Sequence, residues 1–437
     1  MYKRQVLGTG ISVFTVPAII LVTATFVLPT AYLFLSTALR SVDGSLEEAA
    51  RMFGAGTRRT TLRIVLPLMA PALGSAALVS FVLAAEVFSI PALLGRPFGY
   101  TTLATLVYTR IQASPADWPG AATAGSVLLV IAVLGTWWNQ RILRRRSRYV
   151  TVSGRMREAR VVRLGRWRGI LTAAGLIYGT LATVVPVAAL LFGSVLNTRD
   201  PSRIDLTAVS FDNFAFAFSG PAREALGNTV LLAALTPVGL LVLAGLCSYL
   251  VGGGRTWAGR ALDVVATLPV AIPGLVLGVA LLWAYFLATW LPVYGTIGIL
   301  LIGYLAKYLP FGYRNVSSAQ AQLSEDLTEA ARMSGATAGG AYRRVSLPLL
   351  KPAFLHSYVM SFVLVSRETT VAIILAASGV TALAPLIWDQ ATTGSVGTAY
   401  ALSVLQLVLA LVVLAVAQIV LSRWIARPAA ERGVEVP

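Results

Sequence analysis

Covalent or acid–base chemistry needs convergent His, Cys, Asp, Glu or Lys side chains, and this chain offers few of them. Its one histidine is His356 and its one cysteine is Cys247, set inside an apolar run. No disulfide framework and no metal-ligand spacing can be assembled from these, so no metal and no cofactor is expected. A lone histidine and a lone apolar cysteine read as packing residues. Nucleotide hydrolysis would need a lysine closing a glycine-rich loop. The only lysines are Lys3, Lys307 and Lys351, and none of them lies in such a loop. Gly252-Gly253-Gly254-Arg255 is glycine-rich but falls in a short turn between apolar runs, and reads as a connector. The chain is not expected to be an enzyme.

The residues that spacing does single out are Glu48, Ala49, Ala50 and Gly54, because they return as Glu329, Ala330, Ala331 and Gly335. The offset is constant (329 − 48 = 335 − 54). It holds without a gap from Leu46–Ala72 to Leu327–Ala353, where 14 of 27 positions are identical. Arg63 pairs with Arg344, Pro67 with Pro348 and Pro71 with Pro352. Each copy is a polar segment between two apolar runs. Two membrane half-units presenting the same loop to the same kind of partner would leave this pattern.

Each copy opens like a helix, with Ser45 and Asp326 three residues ahead of Glu48 and Glu329 in capping-box spacing. Small residues at Ala49 and Ala50 allow another surface to come close. Gly54 ends the first helix, expected over Glu47–Phe53, because glycine enters the left-handed region without steric cost. A second short segment leads to Leu66-Pro67, and proline is tolerated at the start of the helix that follows.

The pattern Glu-Ala-Ala, three residues, Gly, nine residues, Ile, one residue, Leu-Pro resembles the loop shared by permeases of binding-protein-dependent ABC importers. Glu48, Ala49, Ala50, Gly54, Ile64, Leu66 and Pro67 match it fully, and the second copy departs only at Val345. The resemblance implies that both loops are coupling helices docking on cytoplasmic ATPase subunits, two of them for two loops. It also implies a periplasmic substrate-binding protein and a prokaryotic plasma (inner) membrane. Fusion of both halves in one chain, and the stretch at 266–285 (ATLPVAIPGLVLGVALLWAY), are similar to the ferric-iron permease group. That points to ferric iron as substrate, with thiamine, polyamine or phosphonate as alternatives.

Composition supports a membrane protein by itself. Hydrophobic residues make up 57% of the chain and charged residues 12%, about half the fraction usual in soluble domains. A net charge of +17 raises the possibility of nucleic acid, but its distribution argues against that partner. Eleven arginines and one acid, Glu158, fall between Arg141 and Arg168, directly after an apolar span. Positive charge beside a span marks a cytoplasmic loop. No soluble fold with base-stacking aromatics accompanies it.

The expected fold class is an all-α integral membrane protein, built from two parallel-repeat half-units of the type I ABC importer fold. Its expected divisions are a first transmembrane half (1–140), an Arg-rich cytoplasmic linker (141–168), a second half (169–425) and a cytoplasmic tail (426–437). Apolar runs of about the ~20 residues needed to cross a bilayer lie near Ile11–Leu35, Ala72–Leu94 and Ala121–Trp138 in the first half. In the second they lie near Ile170–Ser194, Leu226–Val251, Ala261–Ala288, Tyr294–Phe311, Pro352–Ala376 and Val396–Leu421. With both loops, the linker and the tail on the cytoplasmic side, three spans against six leave Lys3 and Arg4 on the wrong side. The simplest account is a first half truncated before Ile11. An ion-coupled carrier is the competing class, but it would need ionisable groups at mid-membrane and often shows inverted repeats, whereas these repeats are parallel.

Three charges do lie in the spans that follow the loops. Glu86 and Arg367 occupy equivalent repeat positions, and Glu368 follows. Charges inside spans face a partner or a water-filled path. Glu86 and Arg367 are expected to act as a polar gate on the translocation path, with Glu368 as the competing partner for Arg367.

Overall fold

The computed structural model describes residues 12–40, 44–146, 167–196, 209–252, 257–288, 290, 292–323, 325–376 and 380–430. Most of the expected Arg-rich linker, the first part of the loop at Asn197–Pro221, the Gly253–Arg255 turn and the last seven residues lie outside that set. Among the described residues strand-like pairing is confined to isolated bridges, one of them between Leu196 and Val209 and another at Val380. Everything else that is regular is helix, as an apolar chain requires when each backbone polar group must be satisfied within its own segment.

The chain divides into two compact units, Met1–Val187 and Ala188–Pro437. The first unit contains α1 (Val16–Arg40), α2 (Gly44–Met52), α3 (Leu66–Glu86), α4 (Ser89–Gly95), α5 (Leu103–Ile111) and α6 (Trp118–Arg146). Helix α3 packs on both α1 and α6, and α5 packs on α6. Gly135 lets α3 and α6 approach, since a Cβ there would stand 2.6 Å from a Val82 methyl carbon. Ser75 donates to Asn139 across the same contact. Helix α7 (Trp167–Ser194) carries the boundary between the units within it.

The second unit continues with α8 (Asp212–Ala217), α9 (Gly220–Gly252), α10 (Trp257–Thr267), α11 (Gly274–Leu287), α12 (Ile297–Gln320), α13 (Glu325–Met333), α14 (Lys351–Ser366), α15 (Ala372–Leu375), α16 (Leu383–Thr393) and α17 (Val396–Ala430). Helices α9, α12 and α14 pack pairwise and form its centre. Tyr313, Val316, Ala244 and Cys247 are buried between α9 and α12, which confirms the cysteine as a packing residue. A second cluster joins α8, α9, α16 and α17 through Ala217, Ala222, Leu383 and Leu402.

Six helices among the described residues are long and apolar enough to cross a membrane, and two bent pairs raise the number to eight. Helix α12 stands apart because it carries Lys307 and Arg314 within an otherwise apolar length. Three expected spans are not the continuous helices that apolarity suggested. The run at Ala261–Ala288 is broken between Trp257–Ala271 and Gly274–Leu287, which meet at 113°. Pro273 removes a helix donor and pushes Ile272 out of the helical region, to φ −101° and ψ 116°. The run at Ala72–Leu94 stops at Glu86, and the run at Pro352–Ala376 stops at Ser366. Each resumes as a shorter helix after a break, in α4 and α15.

The two units differ at one repeated proline. Pro71 lies within an unbroken helical stretch, Arg58–Glu86. Its counterpart Pro352 follows a 65° bend between Gly339–Leu349 and Lys351–Ser366.

Candidate functional site

The repeated loops fold as matching local structures. Helices α2 and α13 keep the offset of the sequence repeat at both ends (325 − 44 = 333 − 52). Both begin earlier than the capping spacing implied, so Ser45 and Asp326 sit in the first turn and not ahead of it. The stop signal falls where the sequence puts it. Gly54 and Gly335 have φ of +76° and +89°, the left-handed backbone open to glycine.

That backbone satisfies the last carbonyls of each helix. The Ala55 N–H donates to the Ala50 carbonyl at 2.9 Å, and the Ala336 N–H donates to the Ala331 carbonyl at 3.1 Å. In the second copy the Gly335 N–H also donates to the Arg332 carbonyl at 3.0 Å, completing the two-bond glycine cap. A short helical turn follows, then a single π turn at Thr61–Val65 and at Tyr342–Ser346. In each, the N–H of the next leucine reaches back five residues, from Leu66 to Thr61 and from Leu347 to Tyr342. Pro67 and Pro348 come directly after these leucines. A proline cannot donate to the carbonyl four residues back, and a wider turn at that point is one way a helix absorbs the loss.

The hairpin tips are open. Glu48, Ala49, Glu329 and Ala330 are exposed, Ala331 is half-buried and Ala50 is buried. Beside them, Met52 and Met333 are each 89% exposed and Phe53 is 91% exposed. Large apolar side chains thus stand exposed at the same position of two short polar helices. The second hairpin is tied to its unit by the Tyr342 hydroxyl, which donates to the Gly245 carbonyl at 3.2 Å. The Tyr342 ring also lies 4.9 Å from that of Tyr249.

The charges in the spans stand at breaks. Glu86 is the last residue of α3, half-buried, and Arg367 is the first residue past α14, exposed. Glu368 is 5% exposed, and its carboxylate belongs to neighbours other than Arg367. Lys307 Nζ lies 2.7 Å from Oε2, and the Tyr308 hydroxyl donates to the same oxygen. Thr370 Oγ1, at 2.7 Å, and the Val371 N–H, at 3.0 Å, donate to Oε1. The bonds described on this carboxylate come from Lys307, Tyr308, Thr370 and Val371, and none of them from Arg367. Lys307 and Tyr308 were missed as site residues. Their signal was a lysine inside an apolar run whose repeat counterpart is Phe26.

A membrane chain of two units, each carrying one such hairpin ahead of a broken span, defines a class. The family described as the inner membrane component of binding-protein-dependent transport systems matches residues 6–148 and 213–427, and the chain belongs to it. It is thus a multi-pass inner-membrane protein with the fold of ABC importer permeases. To a Haemophilus influenzae protein provisionally named a ferric transport system permease it is 31% identical over 357 residues, 79% of this chain and 54% of that one. To a ferric transport system permease of Actinobacillus pleuropneumoniae it is 28% identical over 379 residues, 85% and 54%. The chain spans about half the length of these relatives. A chain from the crystal structure of a bacterial transporter that imports alginate shares the fold, with a TM-score of 0.50 at 17% identity. That match covers 59% of this chain and 96% of the other.

Proposed function

We propose that this chain forms the substrate path of an ABC importer and draws its energy from separate ATPase subunits seated on the two hairpins. The observation that carries this reading is the pairing of Met52 with Met333, each 89% exposed and set two residues ahead of a left-handed glycine. One docking surface would explain one hairpin. Two copies with the same backbone explain a partner that is present twice. The hairpins, the Arg-rich linker and the C-terminus then face the cytoplasm, and the divisions at 1–140, 141–168, 169–425 and 426–437 describe two half-units, a joining segment and a tail. No catalytic group is assigned to the chain itself.

The cargo is ferric iron, handed over by a periplasmic binding protein. Likeness to ferric permeases over most of this chain supports that choice. Glu86 and Arg367, opposite charges at equivalent helix ends, are the gate residues in this reading.

The experiment is uptake of radioactive iron(III) into proteoliposomes that hold the complex, ATP and the iron-loaded binding protein. Uptake that needs both ATP and the binding protein is expected, and iron-independent ATP hydrolysis with no uptake would reject iron as cargo. In the same assay Glu86→Arg and Arg367→Glu should each impair uptake, and the double swap should restore part of it. A double swap no better than the worse single variant removes the gate.

A further inference from the structure

The most unusual cluster in the second unit is the buried ion pair of Lys307 and Glu368. Lys307 lies on α12, with its side chain 21% exposed, and Glu368 lies in the break after α14, with its side chain 4% exposed. Besides its contact with Glu368, Lys307 Nζ donates to Thr370 Oγ1 at 2.8 Å, and the Tyr308 hydroxyl also reaches the Leu364 carbonyl at 3.3 Å. The cluster therefore holds the C-terminal end of α14, the break and α12 together.

A third element rests on it. Gly274 begins α11, directly after the 113° bend, and a Cβ there would stand 2.2 Å from Thr370 Oγ1 and 2.7 Å from Lys307 Nζ. The first helix past the bend is thus seated on the ion pair, and only glycine leaves room. The contact continues along α15, where Ile374 packs at Gly278 of α11, and Val371 and Leu375 pack at Gly303 of α12.

The repeat supplies a control. At the positions of Lys307, Tyr308, Glu368 and Thr370 the first unit has Phe26, Val27, Val87 and Ser89. Its break after Glu86 is packed by an aromatic pair, with the rings of Phe88 and Tyr108 4.8 Å apart. A break of the same kind thus forms with uncharged residues at all four positions. Burying two charges is costly, and well-packed apolar residues in their place are often as stable. Stability alone does not account for the pair. What a buried ion pair can add is register between the elements that carry its two charges.

We propose that Lys307 and Glu368 are positioning residues that latch the bent span α10–α11 to the far end of α14. Movement entering at the second hairpin would then pass along α14 and reach α11 through this pair. The proposal rests on the importer reading, since it needs an ATPase to drive the hairpin, and it assigns the transmission to one half only.

The test uses the full chain in complex with its ATPase subunits, in a Cys247→Ala background. Spin labels are placed at Phe286 on α11 and Leu327 on α13, both exposed. Their separation is measured with and without ATP and vanadate. In the otherwise native chain the separation should change on trapping. In Lys307→Met/Glu368→Gln, which removes both charges, the hairpin still binds the ATPase but the change at Phe286 should be lost. Thr370→Val keeps the ion pair and severs its tie beside Gly274, so it should fold whatever the double variant does and should reduce the change. An unaltered change in either variant overturns the latch and leaves the importer reading standing. No change in the native complex overturns the importer reading and the latch with it.

Discussion

Gly54 and Gly335, equivalent positions of the two repeats, end their helices in the same left-handed conformation, with φ of +76° and +89° and open space where a Cβ would project. The demand at both positions is therefore conformational and not steric. Asparagine adopts this backbone far more readily than a β-branched residue does. Gly54→Asn with Gly335→Asn should retain ATPase capture. Gly54→Val with Gly335→Val should lose about 1–2 kcal/mol at each helix end and weaken capture, with membrane insertion intact. Equal capture by the two double variants would show that the left-handed caps do not shape the docking surface.

The ion pair of Lys307 and Glu368 makes a separate prediction about stability. Lys307→Met alone leaves a buried carboxylate without its cation, which costs about 3–5 kcal/mol. Lys307→Met with Glu368→Gln removes both charges and should recover most of that loss. Thermal unfolding in detergent distinguishes the cases. A double variant as unstable as the single one would mean that packing at this point, and not charge, is what the pair supplies.

How far the sequence discloses these features depends on what each one leaves in the residue pattern. The hairpins were legible because duplication printed them twice, and a glycine with positive φ has few substitutes. Their first turns were misplaced by two or three residues, since Ser45 and Asp326 have capping chemistry but lie inside the helix. The bend at Ile272-Pro273 was hidden by unbroken apolarity. A proline in a membrane span reads as a kink, and nothing in the local pattern distinguishes a slight kink from 113°. Glu86 and Arg367 were read inside spans, yet they stand where α3 and α14 end, because hydropathy continues through the breaks. Lys307 and Glu368 are 61 residues apart, and only the fold brings them together.

In the first unit, Asp117 caps α6 and should give a small pH dependence. Its Oδ1 accepts from the Gly120 N–H at 2.9 Å and its Oδ2 from Arg110 at 2.6 Å. These bonds, the backbone one first, hold its carboxyl below the usual 3.8. A carboxylate whose folded pKa is depressed stabilises above its unfolded value, and that contribution is lost as pH falls through the folded value. The melting temperature of the native chain should exceed that of Asp117→Asn at about pH 6, and the gap should close in acid below the usual carboxylate range. A gap that is the same at both pH values would place the effect elsewhere. High salt should narrow it, because the Arg110–Asp117 pair is exposed.

The central claim is that two equivalent hairpins each seat an ATPase subunit, and Met52 and Met333 test it most directly. Burying a methionine at an interface contributes roughly 1.5–3 kcal/mol, so Met52→Glu or Met333→Glu should each weaken capture of purified ATPase subunits about tenfold or more. The double variant should abolish capture. Because both side chains are 89% exposed, the melting temperature of the chain should stay unchanged. Titration of the native chain should reach two ATPase subunits per chain. Undiminished capture by the double variant would contradict the account.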